Sequence, residues 1–171
     1  MRFNLSGPGY AAAVGTEIER KWVLPAAPRW LGEVRSEPIE QGYLATGADA
    51  EIRVRSIGGR AKLTVKAGSG LERGETEIDL DPEQFEALWP LTGGRRIEKV
   101  RHYAEHEGAT IEIDAYGGAH RGLITAEVEF ASVAASEAFA PPPWIGTEVT
   151  GDERWANRNL AVAQAPPRTA P

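Results

Sequence analysis

The chain has 171 residues, 42% of them hydrophobic, and carries a formal charge of −6 at neutral pH, which suits one soluble globular domain with a sizeable core. It has no cysteine and three histidines, which excludes a disulfide framework, a zinc–thiolate centre and a cysteine nucleophile, and agrees with a cytoplasmic setting. The negative balance argues against nucleic acid and anionic membranes as partners, and no apolar run approaches the ~18 to 20 residues of a membrane span.

Residues 1–15 read as a flexible N-terminal extension, because the YAAAV string at 10–14 is too short for the apolar region of a secretory signal. One domain is expected over 16–163, then a Pro-rich, disordered tail at 164–171. Period-2 alternation predicts strands over 17–24, 41–45, 51–56, 61–66, 74–80, 97–103, 110–115 and 125–130. Glycine-bearing turns separate them at 58–59, 68–70, 93–94, 108 and 117–118. Three segments read as helices. The first follows Asp81 as cap and Pro82 in the first turn, and stops at Pro90; the second covers 132–139; the third covers 152–164, with Trp155, Asn159 and Leu160 at helical spacing.

Side chains at i and i+2 of a strand share a face. By that rule Glu17, Glu19 and Lys21 lie together, as do Arg53 with Arg55, Lys62 with Lys66, Glu75 with Glu77, Lys99 with Arg101, Glu112 with Asp114, and Glu127 with Glu129. The opposite faces carry Trp22, Ile52, Val54, Leu63, Val65, Ile78, Ile111, Ile113 and Val128. Any one such strand fits a solvated outer face. Taken together, repeated same-sign pairs stabilise nothing locally and point to a ligand that needs them. Carboxylates are hard oxygen donors suited to Mg²⁺ or Mn²⁺, and Arg and Lys pairs suit phosphate oxygens. The predicted fold class is therefore α+β, mainly antiparallel β, an eight-stranded barrel or tunnel with a charged interior and its apolar outer face covered by flanking helices and a possible homodimer partner.

The Glu17, Glu19, Lys21 pattern, Glu-x-Glu-x-Lys on the first strand, resembles the CYTH family, also called triphosphate tunnel metalloenzymes. The strings QGYL (41–44), EIRVR (51–55), LTVK (63–66), GETEI (74–78), RRIEKVR (95–101), EID (112–114) and AEVEF (126–130) follow in the order that family shows. The closing FEALWP (85–90), PPPW (141–144), EVT (148–150) and DERWAN (152–157) are similar to the short, single-domain bacterial members that hydrolyse inorganic triphosphate.

The resemblance implies a closed tunnel and metal-dependent cleavage of a small-molecule triphosphate to pyrophosphate and phosphate. It implies divalent-metal ligands at Glu17, Glu19, Glu127 and Glu129, with Glu75, Glu77 and Asp114 as further acidic wall positions. Arg53, Arg55, Lys66, Lys99 and Arg101 are expected to grip the phosphates, and Arg154 to close the tunnel mouth. Lys21, Tyr43 and Lys99 are the candidate catalytic residues, Lys21 pairing with Tyr43 to orient or deprotonate the attacking water. Tyr43 equally fits a packing role, Lys62 and Arg95 equally fit surface charges, and His102, His106 and His120 are assigned none. The alternatives are a nucleoside or thiamine triphosphatase, a class IV-type adenylate cyclase, a non-catalytic polyphosphate-binding module, and a structural domain with a solvated ionic face.

Overall fold

The computed structural model describes residues 18–47, 50–67 and 74–169. Glu17 and the turn at 68–70 lie outside them. The strands are β1 (Ile18–Val23), β2 (Ser36–Thr46), β3 (Ala50–Ile57), β4 (Arg60–Ala67), β5 (Gly74–Leu80), β6 (Arg96–His106), β7 (Ala109–Tyr116), β8 (Ile124–Phe130) and β9 (Thr147–Glu148); the helices are α1 (Pro82–Leu88), α2 (Val133–Ala138) and α3 (Asn157–Leu160). The local chemistry explains the boundaries. Gly58 and Gly59 both have positive φ, 54° and 84°, the signature of the two-residue turn that joins tightly twisted antiparallel strands. At α1, Asp81 accepts from the Gln84 backbone and the Gln84 side chain accepts from the Asp81 backbone, a reciprocal cap. Ser132 caps α2 through Ala135.

All the strands form one antiparallel sheet in the order β5-β4-β3-β2-β6-β7-β8-β1-β9. Two points differ from the sequence expectation. The described strands number nine, because Thr147 and Glu148 add a two-residue strand to β1, too short to show alternation. Among the described residues the edge strands β5 and β9 do not pair, so the hydrogen-bond ladder is open there. The sheet nonetheless curls until residues of β1, β3 and β4 line one cavity.

Alternation sorts the two faces as the sequence implies. The convex face buries Trp22, Ile111, Ile113, Ala126 and Val128 under Leu24, Leu31, Ile145 and the half-buried Trp30, Phe139 and Trp144. The chain's own α2 and flanking segments thus cover this part of the outer face. A second cluster, Tyr43, Ile97, Tyr116, Leu123, Trp155 and Leu160, fills one end of the concave side. None of the helices among the described residues is long and apolar enough to cross a membrane.

The helix expected over 152–164 is broken. The Asp152 side chain accepts from the Arg154 backbone and starts a 3-10 turn over Glu153–Trp155, and Ala156 is extended at φ −63°, ψ 134°. Only α3 then follows. The break buries both Trp155 and Leu160, at 1% and 0% exposure, which one straight helix with a solvated face would not do as completely.

Candidate active site

The concave side holds a cavity of about 290 Å³. Its walls come from Glu19 and Lys21 of β1, Gln41 and Tyr43 of β2, Glu51, Arg53 and Arg55 of β3, Lys66 of β4, Lys99 and Arg101 of β6, and Glu127 and Glu129 of β8. A strap after β9 completes it with Val149–Glu153 and Ala156–Arg158. Arg55 also lines a second, wider cavity of about 910 Å³ at the opposite rim, beside Arg35, Glu37, Arg60 and Tyr103.

Register places opposite charges against each other. Lys21 faces Glu127 across the β1–β8 ladder and binds it at 2.7 Å. Arg101 faces Asp114 and meets it through Nε and Nη2, both at 2.7 Å, while also reaching Glu127 at 3.0 Å and Glu112. Lys99 bonds Asp114 at 2.5 Å. On the other wall Glu75 pairs with Arg53 and Lys66, and Glu77 with Arg55 and Lys62. The Arg55 Nε is buried with no hydrogen-bond partner, a donor left over at a place where polar groups ordinarily find partners.

Burial and neighbours set the protonation states. Burial works against the Lys21 ammonium, but Glu127 outweighs it and the Lys21 pKa is raised. For Lys99 burial dominates, Arg101 and Lys21 add to it against Asp114, and the pKa is lowered. Burial opposes ionisation of Glu127 and Asp114 as well, yet the surrounding cations hold both below the usual carboxylate range. Burial pushes the Tyr43 phenol up. It stays protonated and accepts a hydrogen bond from Gln41 at 2.7 Å.

The acidic side has the chemistry of a divalent-cation site. Glu19 and Glu129 are directly opposed in register at the exposed rim, with Glu127 buried behind them on the same face. Facing carboxylates repel unless a cation lies between them, and hard oxygens suit Mg²⁺ or Mn²⁺, so the donor chemistry fits. Among the described residues no group of three or more acidic or histidine side chains converges as a finished metal site.

A model of the CYTH domain matches residues 15–148. The chain belongs to the CYTH family. It is 45% identical over 150 residues to an inorganic triphosphatase of Nitrosomonas europaea (strain ATCC 19718), covering 86% of this chain and 98% of the relative. A second relative, an inorganic triphosphatase of Acetivibrio thermocellus (strain ATCC 27405), is 37% identical over 149 residues, 86% of this chain and 94% of its own. A solved crystal structure of an inorganic triphosphatase superposes with a TM-score of 0.67 at 43% identity, over 87% of this chain and 96% of that one.

Within this CYTH chain the structure brings Glu19, Lys21, Tyr43, Arg53, Arg55, Lys66, Lys99, Arg101, Glu127 and Glu129 to one cavity. Glu75, Glu77 and Asp114 stand behind that wall as counter-ions of its cations. Arg154 is not brought there: its exposed side chain pairs with Asp152 at 2.6 Å. Arg158 occupies the strap position that lines the cavity instead. The sequence reading of the site lacked Gln41 and Glu51 of the sheet and every lining residue of the strap, Asn157 and Arg158 among them. Glu51 was within reach, since it shares the face of Arg53 and Arg55 by simple alternation. Arg158 was hidden by the break in the predicted helix.

Proposed function

We propose that this CYTH protein hydrolyses inorganic triphosphate to pyrophosphate and orthophosphate, using a divalent cation, in the cavity between the curled sheet and its strap. The observation that carries the reading is the composition of that cavity: a cation wall of Arg53, Arg55, Lys66 and Arg101 faces Glu19, Glu127 and Glu129. Its volume of about 290 Å³ falls at the small end for ligand sites, and its lining is ionic rather than apolar, which favours a small inorganic polyanion over one with an organic half. The relatives named as inorganic triphosphatases support the same substrate. In this reading the strap closes one end of the cavity.

Arg53, Arg55, Lys66 and Arg101 hold the phosphate oxygens, with guanidinium groups able to bind two at once. Glu19, Glu127 and Glu129 would hold the cation, Mg²⁺ or Mn²⁺, with Glu17 as the further expected ligand. The cation, when bound, neutralises charge on the phosphates and polarises the bond to be broken. Of the two lysines we assign the proton of the attacking water to Lys99, which burial and its cationic neighbours weaken as a cation although it pairs with Asp114, whereas Glu127 strengthens Lys21 as one. Tyr43, protonated and fixed by Gln41, orients the water or the phosphate it attacks.

The test is phosphate release from inorganic triphosphate, ATP and thiamine triphosphate, each with Mg²⁺, Mn²⁺ or EDTA. Fast release from the inorganic compound with metal, abolished by EDTA and by Glu19→Ala, is the expected outcome. No release from any of them, with triphosphate still raising the Tm, would make the protein a binding module instead.

A further inference from the structure

The strap is tied to the sheet from several sides. The Val149 N–H donates to the Lys21 carbonyl at 2.8 Å and the Lys21 N–H to the Thr150 hydroxyl at 3.0 Å, which extends the edge of β1. The Tyr116 hydroxyl donates to Asn157 at 2.8 Å, and the His120 ring meets the Leu160 carbonyl at 2.7 Å. These ties all run to β1, to β7 or to the turn after it. Arg158 runs the other way. Its guanidinium lies 3.6 Å from the Glu51 carboxylate of β3, itself buried, and also pairs with Glu153 on the strap. It therefore spans the cavity from the strap to the wall that carries Arg53 and Arg55.

We propose that Arg158 is a positioning residue for the substrate: clasped to Glu51, it holds the strap as the end wall against which the triphosphate comes to rest. The inference rests on the triphosphatase reading for its kinetic arm and on geometry alone for its structural arm. The strap lies beyond residue 148, where the match to the family model ends. The ion pair with Glu51 joins the strap to β3, and the contact with Glu153 fixes the guanidinium on the strap side. Lysine, a point charge on a flexible stem, should hold the strap less firmly but in the same place.

Two measurements decide it, on the full chain. Backbone hydrogen exchange over 149–163 should speed up about tenfold in Arg158→Ala and in Glu51→Gln, and less in Arg158→Lys. In steady-state kinetics Arg158→Ala should raise the KM for triphosphate about tenfold while lowering kcat far less, and Arg158→Lys should recover most of the loss. Unchanged exchange in the strap overturns the proposal, and so does a loss confined to kcat. If the wild-type protein releases no phosphate, the triphosphatase reading fails on its own, and the exchange experiment still reports whether Arg158 holds the strap.

Discussion

Lys21 and Lys99 share one charged wall, yet their surroundings drive them apart. Lys21 meets Glu127 at 2.7 Å and is stabilised as a cation, whereas Lys99 shares Asp114 with Arg101 and is destabilised as one by burial and by its cationic neighbours. Lys99→Met should therefore cut kcat by about 10²-fold or more with little change in KM, the loss expected of a proton-transfer group. Lys21→Met should act mainly on KM and on stability, lowering the Tm by less than loss of a sole partner would, because Glu127 keeps Arg101. Steady-state kinetics with thermal melts separate the two, and the reverse pattern would return the base role to Lys21. Alternation was enough to place both lysines on the ionic face. It could not rank them, because the ranking depends on which carboxylate each one shares, and that is set by register: between β1 and β8, far apart in the chain, for Lys21, and within the β6–β7 hairpin for Lys99.

At the scale of elements, the sheet reveals where one residue must be small. Gly42 of β2 faces the 3-10 turn over Trp89–Thr92, and a Cβ built there would lie 2.5 Å from the Thr92 hydroxyl and 2.6 Å from its Cβ. Thr92 is fully buried and fixed, donating to the Trp89 carbonyl and accepting from Arg96. Gly42→Ala should therefore destabilise by about 1 to 3 kcal/mol and lower the Tm by several degrees; an unchanged melting curve would mean that the turn moves aside freely. Most elements were visible from pattern alone, since period-2 runs define β1 and β3 to β8 within about three residues at each end, whereas β2 begins at Ser36, five residues before the expected Gln41. The strap was not. Its break at Ala156 serves the burial of Trp155 and Leu160 against Tyr43 and Tyr116, partners more than 35 residues away in sequence whose approach no local signal announces.

Across the whole molecule, the buried carboxylates link stability to pH. Glu127 and Asp114 have folded pKa values below their ordinary 4.5 and 3.8, against burial and through their cations. Their contribution is complete above those ordinary values and is lost as pH falls toward the depressed ones. Thermal melts should show a plateau from neutral pH down to about pH 5 and a steep decline below about pH 4, a decline made shallower by Glu127→Gln. A Tm that keeps its plateau into strong acid would mean that the ion lattice contributes nothing to folding. The same lattice bears on how the site lets go of what it holds. Glu75 and Glu77 of β5 supply internal counter-ions to Arg53, Lys66, Arg55 and Lys62, so an incoming polyanion must compete with carboxylates already in place. In the proposed reaction the triphosphate, the most highly charged of the species, competes best for those cations. Each cleavage product carries less, and the returning carboxylates of β5 then favour its departure over its retention.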